Sequence, residues 1–183
     1  MGRALVVVDV QHDFLPGGAL GVPGGDAVLE PIATLLAEPD GVDLVVATRD
    51  WHPADHGSFV EHGGTWPVHC VQGTPGAELS DRLDRARIDL VLDKGQPVDT
   101  EGYSGFDHTG LGDLLRERGI DELLVVGLAT DYCVKHTALD GLAEGFAVTV
   151  DASAARPVEL VPGDGERALD EVRAAGGTVT NAA

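Results

Sequence analysis

The chain has 183 residues, of which 43% are apolar, and this length suits one α/β domain over residues 1–183 rather than two. Its 31 acidic and 12 basic residues give a formal net charge of −19, which disfavours nucleic acid and membrane partners because it repels phosphate and anionic lipid. The first apolar run, residues 4–8, is too short for a secretory signal, so we expect a cytoplasmic protein.

Apolar, β-branched runs alternate along the chain with segments of helical period. Strands are predicted at residues 4–9, 43–48, 89–93, 122–126, 147–151 and near 178. Helices are predicted at residues 26–37, 76–84, 110–118, 131–144 and 164–175. Several strands are apolar throughout, which is typical of a sheet covered by helices on both faces. The sequence therefore predicts a three-layer αβα fold with a six-stranded, mostly parallel sheet.

Reactive side chains stand where four of the predicted strands end. Asp9 ends the first strand, Asp50 and His52 follow the second, Lys94 follows the third, and Cys133 follows the fourth after a short turn. Ligands of open parallel sheets bind outside the carboxyl ends of the strands, so we expect these side chains to share one site. Each alone is a weak indication, because aspartate is common at strand ends as a cap or turn residue.

Cys133 lies in the first turn of the predicted helix 131–144, with Thr130 or Asp131 as its candidate cap. Free N–H groups at a helix start lower the pKa of a thiol, which makes this position suitable for a nucleophile. The alternative for a cysteine considered alone is a buried structural residue.

Two neighbours favour the nucleophile over the structural cysteine. The Lys94 cation would stabilise a thiolate, and the Asp9 carboxylate would accept the thiol proton and later pass it to a leaving amine. The backbone N–H groups of Ala129 and Cys133 are the candidate oxyanion hole.

The irregular segment of residues 50–75 carries a second group of reactive side chains. Asp50 and His52 are two residues apart in an extended stretch, so both face one side, and His69 returns from the loop. Two imidazoles and a carboxylate suit Zn²⁺, Fe²⁺ or Mn²⁺ and leave positions open for water or substrate. His56 fits a further ligand and an exposed loop residue equally well. Exposed loop residues are predicted at His62 and His108.

These segments together resemble the isochorismatase-like cysteine hydrolases, and specifically their nicotinamidase branch. The resemblance covers nearly the whole chain and is carried by ALVVVDVQHDFLPGGAL, TRDWHPADHGSF, WPVHCVQGTPGAEL, DKGQPVDTEGYSGF and VVGLATDYCVKHTALDGL, in the family's order. It implies hydrolysis of nicotinamide to nicotinate and ammonia through a cysteine thioester, activity on pyrazinamide, and a place in pyridine nucleotide salvage.

The resemblance also assigns roles to individual residues. It implies a catalytic triad of Asp9, Lys94 and Cys133. It implies metal ligands at Asp50, His52 and His69, with His56 as an additional ligand in some members of the family.

A substrate pocket is implied as well, with the aromatic rings of Phe14, Trp66 and Tyr103 as walls, although ordinary core packing is the alternative for each ring. The resemblance places Leu128 and Ala129 at the substrate, and it implies a cis peptide bond between them.

Some features stay open. His12 stands where the family commonly has asparagine, and we interpret His136 as structural and Cys70 as a buried small residue or an oxidation-sensitive neighbour of the metal. A short last strand leaves an edge that a second copy of the chain is able to complete, giving a homo-oligomer. The alternative functions are another branch of the family, acting on a vinyl ether, carbamoyl or ureido group, and a non-catalytic relative that binds a ring-shaped ligand.

Overall fold

Strands and helices alternate along the part of the chain that the structure, a computed structural model, describes, namely residues 2–37 and 41–181. The strands are β1 (Gly2–Val8), β2 (Leu44–Asp50), β3 (Leu90–Lys94), β4 (Ile120–Leu128), β5 (Ala147–Arg156) and β6 (Thr178–Thr180). The α-helices are α1 (Leu29–Ala37), α2 (Leu111–Glu117), α3 (Lys135–Ala143) and α4 (Asp164–Ala174). β4 and β5 are both longer than the sequence predicts.

The strands form one sheet in the order β3-β2-β1-β4-β5-β6, and every neighbouring pair is parallel. Side chains of β1 alternate between two apolar cores, as a pleated strand requires. Leu5 packs in the core that contains Ile32 of α1, and Val6 packs in the core that contains Leu115 of α2. Helices therefore cover both faces of the sheet, which confirms the αβα prediction. None of the described helices combines the length and apolar character that a membrane span requires.

The helix predicted at residues 76–84 is wrong. The segment contains one 3₁₀ turn, Pro75–Ala77, and then becomes extended. Its backbone groups pair with the loop after β1 instead of with each other: Ser80 N–H donates to Val10 O over 2.8 Å, and His12 N–H donates to Glu78 O over 3.0 Å. This pairing satisfies the backbone without a helix and fixes the loop that leads away from the centre of the sheet.

Candidate active site

Four of the predicted site residues meet at the carboxyl ends of neighbouring strands. Asp9 directly follows β1, and Asp50 and Lys94 are the paired last residues of β2 and β3. Cys133 follows β4, which neighbours β1 on its other side. Parallel strands end at the same edge of a sheet, so their short distance in space follows directly from the topology.

Lys94 is the centre of this group. Its buried Nζ lies 2.5 Å from Asp50 Oδ1, 2.8 Å from Asp9 Oδ2 and 3.5 Å from Cys133 Sγ, and it donates to Gly102 O over 2.9 Å. Burial alone lowers the pKa of Lys94, but the two carboxylates outweigh burial and hold the pKa well above its ordinary value. Lys94 is therefore a fixed positive charge beside the sulfur.

Asp9 is the second carboxylate in contact with Lys94. It is fully buried, and Thr48 Oγ1 donates a hydrogen bond to its Oδ1 over 2.7 Å. Burial raises the pKa of Asp9, and Asp50 adds to the rise, while Lys94 opposes both. A carboxylate with a raised pKa is a stronger base than an ordinary aspartate, which suits an acceptor for a proton from sulfur.

Cys133 lies in a wide π-type turn, Thr130–Val134, that precedes α3. Ala129 caps this turn through its carbonyl, and the predicted caps do not: the Asp131 carboxylate accepts from Val158 N–H and Glu159 N–H instead. The peptide bond preceding Ala129 is cis, as the resemblance implies.

The thiol differs from the sequence prediction in its protonation. Burial raises the pKa of Cys133 well above its ordinary value, and Asp9 adds to the rise, while Lys94 acts in the opposite direction. The sequence predicts a lowered pKa from the start of a helix, and the structure indicates the opposite, because two nearby carboxylates and loss of solvent outweigh one ammonium group. Burial, the largest cause, together with the two carboxylates thus favours the protonated thiol at rest.

Asp50, His52 and His69 form the candidate metal site. Their ligand atoms lie within 4.8 Å of one another, with Asp50 Oδ2 3.4 Å from His52 Nε2 and 4.0 Å from His69 Nε2. Nδ1 of His52 bonds to Gly95 O, and Nδ1 of His69 bonds to Pro67 O, each over 2.7 Å. A carbonyl only accepts, so each Nδ1 carries a proton, and each Nε2 faces Asp50 as the atom that would bind an ion. Burial lowers the pKa of His52, but the hydrogen bond and charge of Asp50 outweigh burial and raise it, so a metal ion would take the place of a proton there. The set therefore fits a divalent metal ion.

His56 lies beside this set without joining it. Its ring centroid is 4.1 Å from that of His52, and its Nδ1 bonds to Ser58 Oγ over 2.7 Å. The side chain is fully buried and its Nε2 has no partner in the described structure. Burial lowers the pKa of His56, which favours the neutral ring. A metal-binding role for His56 stays a prediction.

Gly95 fixes the orientation of His52. A Cβ at this position would lie 2.4 Å from His52 Cε1, and φ of Gly95 is +65°. We expect Gly95→Ala to displace the imidazole and to weaken metal affinity about 10- to 100-fold, as loss of supporting contacts at metal ligands does. Isothermal titration with Zn²⁺ measures the change.

The matched control for this prediction is Gly119→Ala. Gly119 has a similar φ of +68°, but a Cβ there meets nothing within 4 Å. Gly119→Ala is expected to keep the metal affinity of the original chain. Equal affinities for the Gly95 and Gly119 variants would contradict the role given to Gly95.

A cavity opens next to the sulfur and the metal set. The three predicted wall residues, Phe14, Trp66 and Tyr103, all line it, and Ala129 lines it as well. Trp66 Nε1 donates to Tyr103 Oη over 3.0 Å, which joins two of the walls. The Leu128 side chain does not line the cavity: it is 1% exposed and packs in the core on the α1 face of the sheet, so a substrate contact of Leu128 stays a prediction for its backbone.

Sequence reasoning missed several residues around the cavity and one behind it. The cavity is also lined by Leu20, Val22, Ser58, Glu101, Tyr132 and Val158. Gln11 is fully buried and holds the backbone of Asp50 from both sides, with its Oε1 accepting from Asp50 N–H and its Nε2 donating to Asp50 O, each over 2.8 Å. Its position two residues after Asp9 is the only signal that the sequence offers.

Three residues whose roles the sequence does not decide lie outside the reactive centre. His12 points away to Asp81 at 3.8 Å, and His136 stacks on Tyr103 with 5.3 Å between ring centroids. Cys70 is a free, buried thiol whose pKa is raised by burial, which supports the small structural residue. His62 and His108 are exposed, which confirms the prediction for these two histidines.

The αβα fold, with a candidate cysteine nucleophile beside a site for a divalent metal, defines the protein as a metal-dependent amidohydrolase. The chain belongs to the isochorismatase family, because the family's isochorismatase domain matches residues 3–183.

Relatives with known names agree with this class. The nicotinamidase of Escherichia coli is 42% identical over 97% of this chain and 93% of its own. The pyrazinamidase of Pyrococcus horikoshii, solved in complex with zinc, has a TM-score of 0.90 and 44% identity over 98% of this chain and 99% of that chain. The PnC1 protein of L. infantum, solved in complex with nicotinate, has a TM-score of 0.91 and 38% identity over 97% and 91% of the two chains.

Proposed function

We propose that the protein is a nicotinamidase, which hydrolyses nicotinamide to nicotinate and ammonia and also accepts pyrazinamide. The observation that carries this proposal is the cavity, because aromatic rings, the Cys133 sulfur and the metal set all line it. Flat rings suit a pyridine or pyrazine ring, and the sulfur is placed to meet a carboxamide attached to it. The reaction belongs to pyridine nucleotide salvage.

The first half of the proposed reaction forms a thioester. Cys133 Sγ attacks the carboxamide carbon while its proton passes to Asp9, and the nearby Lys94 ammonium stabilises the negative charge that develops on sulfur. The backbone N–H groups of Ala129 and Cys133 stabilise the oxyanion. Asp9 then donates the proton to the nitrogen, the C–N bond breaks, and ammonia leaves.

The second half returns the enzyme to its starting state. Asp9, again a carboxylate, takes a proton from a water molecule, and the hydroxyl oxygen attacks the thioester carbon. The C–S bond breaks, the acid is released, and the proton held by Asp9 returns to Cys133. Asp9 is suited to both halves because it is buried against Lys94 and has a raised pKa.

Asp50, His52 and His69 would hold the metal ion, and His56 is the additional candidate. We propose zinc as this ion, ahead of iron or manganese; the nitrogen and oxygen donor set and the zinc in the Pyrococcus horikoshii neighbour support it. When bound, the ion supplies a positive charge that orients the ring nitrogen of the substrate. Asp50 offers Oδ2 to this set while its Oδ1 stays on Lys94.

An ammonia-release assay with metal analysis of the same sample tests the function. The protein is expected to release ammonia from nicotinamide and pyrazinamide, and removal of the metal by a chelator is expected to lower the rate about 100-fold or more, since a bound ion contributes several kcal/mol to such reactions. Added Zn²⁺ restores it.

Three outcomes would contradict the proposal. Full activity in a metal-free sample would show that the reaction does not require the metal. Ammonia release from ureido or carbamoyl compounds in place of nicotinamide would point to another branch of the family, and a lack of ammonia from every amide would point to a non-catalytic relative.

A further inference from the structure

Glu101 lies at the cavity, although the reaction above does not use it. It is an exposed residue of the segment between β3 and α2, and the other acidic residue of the cavity lining is Asp50. Asp50 is ion-paired with Lys94 at 2.5 Å, a cation that it shares with Asp9. Among the described residues, Glu101 has no ion-pair partner. Its negative charge therefore acts on whatever occupies the cavity.

Tyr103 is the aromatic wall residue that interacts with this carboxylate. The Tyr103 hydroxyl accepts from Trp66 Nε1 over 3.0 Å, so its own proton is left for another acceptor. Burial raises the pKa of Tyr103, the bond from Trp66 lowers it, and the interaction with the Glu101 carboxylate raises it again. Glu101 thus sits next to two of the rings that would enclose a bound substrate.

Substrate and product of the proposed reaction differ in charge at the group that reacts. An amide is neutral, whereas the product acid is an anion at neutral pH, and the leaving ammonia becomes a cation. Lys94 and the bound metal both attract the anionic product. A fixed negative charge beside the ring opposes this attraction and leaves the neutral amide almost unaffected.

We infer that Glu101 is a specificity-determining residue that weakens binding of the anionic product relative to the neutral amide. This inference rests on the proposed function, because it concerns the product of that reaction. It assigns Glu101 an electrostatic role in product release and no part in bond making or breaking.

The test compares Glu101→Gln with the original chain, using the metal-loaded enzyme. Glutamine has nearly the same size and keeps an oxygen that accepts hydrogen bonds, but it carries no charge. We expect the ratio of the nicotinate inhibition constant to the nicotinamide KM to fall about threefold, the size of one partly screened charge. This threefold difference between the variant and the original chain is expected to become smaller in 0.5 M NaCl, because salt screens exposed charges.

Two further variants make the result specific. Glu117→Gln removes the same charge from the exposed outer face of α2 and is expected to keep the ratio. Glu101→Ala removes the hydrogen-bond acceptor as well. If Glu101 only positions Tyr103, Glu101→Gln will keep the original ratio, and Glu101→Ala will weaken amide and acid alike; that result would overturn the inference.

The experiments distinguish a failure of the proposed function from a failure of the inference about Glu101. An original chain that releases no ammonia from nicotinamide would contradict the function itself. Calorimetric binding of nicotinate and nicotinamide to the same variants would then still decide the role of Glu101. Equal changes in affinity for the two ligands in Glu101→Gln would overturn it.

Discussion

Replacement of Cys133 with alanine is expected to lower the rate of ammonia release from nicotinamide by at least about 10⁴-fold, the scale seen when a covalent nucleophile is removed. The reason is geometric, since Lys94 Nζ lies 3.5 Å from this sulfur and Asp9 is adjacent. Without sulfur, no thioester forms. Steady-state ammonia release and mass spectrometry of the protein mixed with substrate measure the rate and the acyl adduct.

The Cys133→Ala protein must be shown to be intact for this comparison. Its circular dichroism spectrum and bound metal are expected to match those of the original chain, because the metal ligands belong to other segments. Activity within tenfold of the original chain, in a sample free of the original protein, would show that Cys133 is not the nucleophile.

Replacement of Asp9 with asparagine is expected to lower the same rate about 10³-fold, within the range that general acid–base catalysis contributes. Asparagine keeps the size of the side chain and still accepts a hydrogen bond from Thr48. It does not accept the proton that Cys133 must lose. Both halves of the reaction slow, so the rate falls for every amide substrate and addition of metal does not restore it.

Asp113→Asn is the matched control for this substitution. Asp113 is on α2, and its side chain is 90% exposed. The same chemical change there is expected to leave ammonia release unchanged. Activity of Asp9→Asn above about a tenth of the original value would show that another group accepts the proton. Asp50 would then be the next candidate.

The sequence predicts the arrangement of the reactive centre well because strand topology determines it. Once residues 5–8 and 123–126 are identified as buried parallel strands, the residues that follow them must meet at one edge of the sheet. Asp9, Asp50, Lys94 and Cys133 are brought together in this way. The roles that we give them depend on the experiments above.

Features that depend on tertiary contacts are not accessible from local pattern. Residues 76–84 have the spacing of a helix, yet pairing with the loop after β1 makes residues 78–80 extended, between two short turns. The pKa of Cys133 depends on how many charges surround it in space, and the start of a helix is only one local contribution. Glu101 and Tyr132 reach the cavity through the folding of distant segments.

The protonated state of the resting thiol has a consequence for the durability of the protein. Peroxides and alkylating agents react with thiolates that they can reach, and Cys133 is 5% exposed and held as a thiol by its surroundings. Its reactivity therefore depends on a carboxamide arriving while Asp9 takes the proton. Between turnovers the sulfur is therefore expected to react slowly with oxidants and alkylating agents.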